Sequence, residues 1–322
     1  MKRILLMALV VGLTSCNRSP QFRNDEATYK PEPPSAPSYY DRNQAPPSKT
    51  GKLETVGQPK KRVFVFDFWN DTPIKQSDLG MFAADELRRY LYLSQRLIVP
   101  TDVKSDMATN DFLQGDKVKV AQLIREGKRM GVTILMVGRI SKIVFRQRGD
   151  DVGLLRNKQS MVAVDTEVKL FDVGSGREVM AIGKSGDASS TAMVAIEGSN
   201  LESPEFRAEM TKLAIRKAMS HMLPDVLRAI EKLQWEGRVA KISGSKVYVN
   251  AGKASGLVAG DILKILSPGD DVYDKSTGAY LGRAQGQLKG TLEVVDFIGT
   301  DGAVSEIHTG GNFQEGDVVQ LY

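Results

Sequence analysis

Two histidines and one cysteine are all that 322 residues offer for zinc, iron or thiol chemistry, so most metal-ligand and disulfide frameworks are excluded at the outset. His221 falls on a predicted helix stripe beside Met222 and reads as a boundary side chain, not a base. His308 stands alone shortly before Gly310 and Gly311. Gly183-Lys184-Ser185 copies the end of a phosphate-binding loop. That loop needs a glycine five residues before its second glycine, where this chain has Glu178, and it must open a helix. The triplet therefore reads as a turn. Asp270, Asp271 and Asp274 lack the alternating ligands and closing glutamate of a calcium loop and read as a solvated turn. Ser189-Ser190-Thr191 supplies hydroxyls with no histidine or lysine base beside them. No catalytic residue, metal, cofactor or small-molecule substrate is expected, and the chain reads as a non-enzyme.

The cysteine offers a different chemistry. Met1-Lys2-Arg3 is a positive start, and Ile4 to Leu13 is an apolar run of ten residues. Ten helical residues span about 15 Å, half the hydrocarbon core of a bilayer, which fits a secretory signal and not a stable span. The run ends in Leu13-Thr14-Ser15-Cys16, which resembles the bacterial lipobox: an aliphatic residue, two small ones that suit a peptidase cleft, and a thiol that accepts diacylglycerol. Residues 1–15 are therefore predicted to be a signal peptide and Cys16 the lipidated residue. The lipobox resemblance, with Asn17 and not Asp following, implies the periplasmic face of the outer membrane. No other stretch approaches 18 consecutive apolar residues.

The formal charge of +5 and the pI near 9.1 would suit nucleic acid if the excess lay on a folded surface. It does not. Residues 1–15 carry +2, residues 16–62 have nine basic and five acidic side chains, and residues 63–322 have 33 basic and 34 acidic. Nucleic-acid binding is not expected. Residues 16–61 combine the lipidated cysteine with Pro31, Pro33, Pro34, Pro37, Pro46, Pro47 and Pro59 among polar residues, a composition that buries too little apolar surface to fold. They read as a disordered tether. Fully extended, such a stretch reaches on the order of 140 Å.

Residues 62–234 read as one module. Val63 to Phe68 is a β-rich run closed by Asn70-Asp71-Thr72-Pro73, Ser77 to Tyr92 has helical spacing, and Arg96 to Val99 is a short strand stopped by Pro100. A helix is predicted near Lys117–Met130, ended by Gly131, and a covered strand at Val132 to Val137. Met161 to Phe171 alternates and returns through Arg177 to Gly183. Ser203-Pro204-Glu205 then opens a long helix, with a stripe of Phe206, Met210, Leu213, Ala214, Lys217, Ala218 and His221, broken or kinked at Pro224. The order predicts an α/β sandwich.

Val132 to Ile140, Ala163 to Phe171 and Asp172-Val-Gly-Ser-Gly-Arg-Glu178, with the lipobox, the tether and the long helix, resemble the curli secretion channel family, the CsgG-like lipoproteins. The resemblance covers about 62–234 and implies a three-layer-type α/β sandwich of the α+β or α/β class (CsgG/TolB-N-like). The module is also similar to parts of the flagellar accessory protein FlgT and of the synthase activator LpoB. In the channel, two hairpins pair across subunits as a membrane barrel. The candidates here are Lys142 to Ser160, with Arg146, Arg148, Asp150, Asp151, Arg156 and Lys158, and the Ser/Gly-rich Lys184 to Ser203. Membrane strands need about 9–11 residues with an apolar face, and lipid-facing arginine costs about 2–4 kcal/mol at mid-membrane. Both stretches read as too short and too charged for a barrel.

Residues 235–322 hold 15 of the 30 glycines. Short β runs at Arg238–Ile242, Lys246–Asn250, Asp261–Leu266, Gly290–Val295, Ala303–Ile307 and Asp317–Leu321 predict a small all-β barrel. Gly260-Asp261 and Gly316-Asp317 each open a strand, glycine supplying the turn and aspartate its local cap. Val247 to Asn250, Gly256 to Asp261 and Asp274 to Gly278 resemble the SH3-like C-terminal domain of FlgT. Together the resemblances imply a non-enzymatic scaffold of a trans-envelope machine, flagellar-ring-like or secretion-associated, forming a homo-oligomeric ring with other envelope proteins as partners. A secretion-channel subunit is the alternative, and an activator of a peptidoglycan synthase the second alternative.

Overall fold

The computed structural model describes residues 58–74, 78–114, 117–149, 157–193 and 203–322, all within one compact unit, Val56–Tyr322. The chain enters through β1 (Val63–Val65) and β2 (Trp69–Asn70), followed by α1 (Leu79–Leu93). A 3-10 turn at Thr109–Phe112 leads to a two-residue ladder, β3 (Leu113–Gln114) with β4 (Lys117–Val118), and to α2 (Val120–Met130). Three long strands follow, β5 (Ile134–Gly149), β6 (Asn157–Asp172) and β7 (Arg177–Met193), then α3 (Pro204–Glu231). The sheet order is β1-β5-β6-β7, with β2 also on β5. β1 and β2 run parallel to β5, and the other pairs are antiparallel.

Strand alternation divides the core into two layers. Ile134, Met136 and Ile140 of β5 and Val164, Val168 and Leu170 of β6 face α1 and α3. Leu135, Val137, Phe171 and Val173 meet Phe112 and, from α2, Leu123 and Ile124. Helices thus cover both faces. A bulge between Ile140 and Lys142 shifts the parity of β5, so that Ile143 and Phe145 carry the α3-facing surface onward.

Several local expectations are met and several are moved. Ser203 caps α3, its Oγ accepting from the Phe206 N–H at 3.1 Å, with Pro204 at the first position. The helix runs unbroken through Pro224. Its buried line is Met210, Ala214, Ile215, Ala218, Met219 and Met222, while Leu213 is 46% exposed. The helix packs on both β7 and α1, so its buried face is wider than one stripe. Lys117 and Val118 form β4, and the helix begins at Val120. Arg96 to Val99 makes a single parallel bridge, Arg62 with Ile98.

The first hairpin candidate belongs to a much longer ribbon, since β5 and β6 have 16 residues each. Length is therefore no objection to a membrane strand. The apolar side is: Ile143, Phe145, Val162 and Val164 are already packed in the core with α3. The second candidate is no separate hairpin up to Met193, because Lys184 to Met193 simply continues β7 against β6. Residues 194–202 lie outside the described residues.

The C-terminal part forms β8 (Gly237–Ser243), β9 (Lys246–Val249), β10 (Ile262–Leu266), β11 (Asp271–Tyr273), β12 (Tyr280–Arg283), β13 (Leu288–Ile298), β14 (Gly302–Gly310) and β15 (Val318–Leu321). Six of these close a barrel in the order β10-β13-β14-β9-β8-β15, around Val239, Val247, Leu263, Ile265, Leu292, Val294 and Val319. The six expected β runs are those six strands. Both Gly-Asp turns are built alike. Gly260 and Gly316 have φ of 92° and 90°, and Asp261 and Asp317 accept from the N–H three residues earlier, at 2.8 and 2.7 Å. The β11–β12 hairpin was not expected. Asp274 caps its turn by accepting from Ser276 and Thr277, but Asp271 sits in a strand and is ion-paired, which corrects its reading as a solvated turn. The fold is mixed α+β with a closed six-stranded barrel.

Candidate functional site

A cleft of 1090 Å³ opens along the outer edge of β1. In this parallel pairing, Phe64 and Phe66 turn their main-chain groups to β5, while Val63 and Val65 turn theirs outward. The segment after α1 begins to cover that edge: Ile98 donates to the Lys61 carbonyl at 3.0 Å and accepts from the Val63 N–H at 2.9 Å. The next bond would need an N–H from residue 100. Pro100 has none, and the added strand ends there. The Val65 N–H consequently has no hydrogen-bond partner among the described residues, although Val65 is only 1% exposed.

One wall of the cleft is α1, with Met81, Asp85, Arg88 and Tyr92; the other is the segment from Val99 to Asn110. Arg88 reaches across the edge. Its Nη2 donates to the Val65 carbonyl at 2.6 Å and to Asp67 Oδ1 at 2.9 Å, and its Nη1 to Asp85 Oδ1 at 2.6 Å. Two exposed carboxylates therefore share one guanidinium, which leaves an excess negative charge at this end. Lys104 lies exposed on the other wall, and Arg89 is turned to Glu86. The far wall is fixed to α2 through Glu126, which accepts from Ser105 at 2.8 Å and from Arg129 at 2.7 Å. The Arg129 guanidinium holds the Glu126 carboxyl below the usual glutamate range. Met81 and Tyr92 on the rim are 53% and 67% exposed.

A second polar cluster joins the α/β module to the barrel. Arg238 donates to the Lys128 carbonyl at 2.8 Å, Lys128 Nζ lies 3.3 Å from Asp271, and the Arg283 N–H donates to the Ser175 carbonyl at 3.0 Å. Arg62 reaches the Asn250 carbonyl, and Asn250 Oδ1 accepts from the Arg238 N–H at 2.7 Å. Burial holds Arg238 and Lys128 below their ordinary values, and the neighbouring Arg283 adds to this. Such a network fixes one relative orientation of two modules, because each separated partner would leave a desolvated charge behind.

Glu236 lies in this junction over the backbone of Gly174 and accepts from Gln320 at 3.0 Å. Burial pushes its carboxyl up, and Asp172 adds to the rise. A raised folded-state pKa means that the charged carboxylate costs stability near neutral pH. That cost shrinks as pH falls through the raised value and is gone below the ordinary glutamate value of about 4.3. Glu236→Gln is expected to raise the melting temperature at pH 7 and to leave it unchanged near pH 3.5, as read by thermal unfolding at both values.

The residues singled out in the sequence scatter. Gly183-Lys184-Ser185 is not a turn: it lies inside β7 opposite Asp165 to Glu167, with Lys184 paired to Asp225 at 2.7 Å. His221 is exposed on α3, and His308 is exposed on β14. Among the described residues no cluster of three His, Cys, Asp or Glu is placed to hold a metal, and no helix is long and apolar enough to cross a membrane. Cys16 lies outside the described residues. Sequence reasoning missed the cleft, whose one local signal was a β run stopped by Pro100.

No protein-family model matches the chain, and none of the curated proteins does. Among solved structures, hypothetical protein CT253 from Chlamydia trachomatis is 11% identical, with 53% of this chain and 98% of that chain covered and a TM-score of 0.33. The PelC dodecamer from Paraburkholderia phytofirmans is 14% identical, with 51% and 88% covered and a TM-score of 0.27. Lipoprotein GNA1162 from Neisseria meningitidis is 14% identical, with 54% and 99% covered and a TM-score of 0.24. Bacterial lipoproteins recur among these similar structures. Likeness at these scores establishes no shared function.

Proposed function

We propose that this chain is a lipid-anchored envelope lipoprotein, acylated on Cys16 at the periplasmic face of the outer membrane, and that it acts as a non-enzymatic scaffold in a trans-envelope machine. The observation that carries the scaffold reading is the junction: Arg62, Lys128, Arg238, Asp271 and Arg283 join two folded modules into one body with a fixed geometry. A body of that kind sets the spacing of whatever binds its two ends. The anchor reading rests on Leu13-Thr14-Ser15-Cys16, and the Pro-rich stretch to residue 61 supplies reach.

Self-association into a ring belongs to the same reading. It is supported by β7, which pairs with β6 on one side and with no strand on the other among the described residues. A free edge at one end of a sheet favours head-to-tail contacts, which close into rings when the rotation permits. Light scattering of residues 56–322, without lipid or detergent and across concentrations, is expected to give a discrete multiple of the subunit mass. A monomer at every concentration would remove the ring and leave a tethered adaptor. A flagellar-ring-like or secretion-associated machine is the finer form of this proposal and rests on the family resemblance alone.

A further inference from the structure

The junction between the α/β module and the barrel encloses a cavity of 20 Å³, with Arg62, Thr133, Glu236, Arg238, Asn250 and Arg283 on its walls. A space of that size takes one water-sized guest. Its surroundings are cationic. Arg62, Lys128, Arg238 and Arg283 meet here, and among the described residues the one carboxylate in ion-pair contact with any of them is Asp271, 3.3 Å from both Lys128 Nζ and Arg283 Nε. Arg62 and Arg238 turn to main-chain carbonyls instead, each through Nη1: Arg62 to Asn250 at 3.3 Å and Arg238 to Lys128 at 2.8 Å. The Arg62 Nε–H is buried and has no hydrogen-bond partner. A guanidinium withdrawn from water without a counter-charge is costly, and an unmade hydrogen bond adds to the cost.

Glu236 does not supply the missing charge. It accepts from Gln320 at 3.0 Å, and burial pushes its carboxyl toward the neutral form. Asp172, behind it, accepts from the Gly174 and Ser175 N–H groups and is offset by Lys61. A water in the cavity would satisfy the Arg62 N–H but not the charge. A small anion satisfies both.

From this arrangement we propose that the cavity binds one chloride ion, held by the Arg62 Nε–H of the α/β module and facing the Arg238 guanidinium of the barrel, so that the ion bridges the two modules. Sulfate and phosphate are too large for a space of one water. The inference goes beyond the scaffold reading and stands on the junction alone, so the absence of the anchor or of the ring would leave it intact.

The test is thermal unfolding of the full chain in detergent micelles, with sodium gluconate replaced stepwise by sodium chloride. Constant ionic strength keeps the screening of surface charges the same in every sample. A ligand held only by the folded state raises the melting temperature with its concentration. The wild type is expected to gain about 2–4 °C between zero and about 150 mM chloride. Arg62→Met keeps the apolar stem but removes the N–H and the charge, and is expected to lose that gain. Only the difference between the two salts is read, so a less stable variant still decides. Glu236→Gln removes the one carboxylate on the cavity wall and is expected to lower the chloride concentration for half the gain at least about twofold. Arg228→Met, at an exposed position on α3 beside Asp225, is expected to keep the gain unchanged. Crystals of residues 56–322 grown in sodium bromide are expected to show an anomalous peak within hydrogen-bond reach of Arg62 Nε.

Melting curves indifferent to chloride overturn the proposal, in favour of a water in the cavity. A gain that survives Arg62→Met, or an equal Arg62-dependent gain with sulfate, also overturns it. A bromide peak without a chloride effect in solution is an adventitious ion only, and overturns it as well.

Discussion

Gly186→Val is expected to lower the melting temperature by about 6–12 °C, corresponding to roughly 3 kcal/mol or more. Gly186 lies on β7 under α3, and a Cβ there would stand 2.0 Å from the Ala214 carbonyl oxygen and 2.5 Å from the Ala218 nitrogen. Both are main-chain atoms of a helix and cannot rotate away. The helix would have to lift off the sheet, opening the layer that holds Ala214, Ala218, Met219 and Met222. The ion pairs of Lys184 with Asp225 and of Lys217 with Asp187 bridge the same two elements and would be stretched with it. Gly183→Ala, three residues away in the same strand, is the control: its Cβ meets nothing nearer than the Thr166 carbonyl at 3.7 Å. Thermal unfolding followed by circular dichroism separates the two variants. Equal melting curves would mean that α3 is not seated on β7 as described.

What was legible in the sequence was local. The six barrel strands follow from short alternating runs bounded by Gly-Asp turns, in which the turn and its cap lie within four residues of each other. The start of α3 was legible for the same reason, since Ser203 and Phe206 are partners three positions apart. Where two elements compete for one helix face, local reading failed. The pattern from Phe206 to His221 supports more than one stripe, and only the packing of α3 against both β7 and α1 selects the line through Ile215 and Met219.

The junction was illegible because its members are far apart. Arg62, Lys128, Glu236, Asp271 and Arg283 are ordinary surface residue types, and nothing within a few positions of any of them signals burial. Arg238 meets Lys128 across 110 positions, and Lys128 meets Asp271 across 143. The cleft was illegible for a different reason. Its defining groups are main-chain atoms, left without a strand partner where the chain departs at Pro100, and side-chain identity carries little of that information. The Gly183-Lys184-Ser185 triplet shows the converse: a recognisable string placed mid-strand, where its residues pair with Asp165 and Asp225 and cradle nothing.

The effect expected to be largest concerns the anchor. Each buried methylene of a lipid chain contributes about 0.8 kcal/mol to membrane binding, and one acyl chain alone gives only marginal, reversible attachment. A diacylglycerol thioether supplies two chains at a single residue, enough to hold the protein stably. With one cysteine in the chain, Cys16→Ser removes every thiol that could accept it. The direct measurement is growth with an alkyne fatty-acid analogue, followed by intact mass and membrane fractionation of the wild type and Cys16→Ser. The expected result is a labelled, truncated wild type that begins at Cys16 and sediments with outer membranes, against an unlabelled variant without that attachment. A wild type that carries no label, or a Cys16→Ser variant that keeps it, would contradict the anchored scaffold.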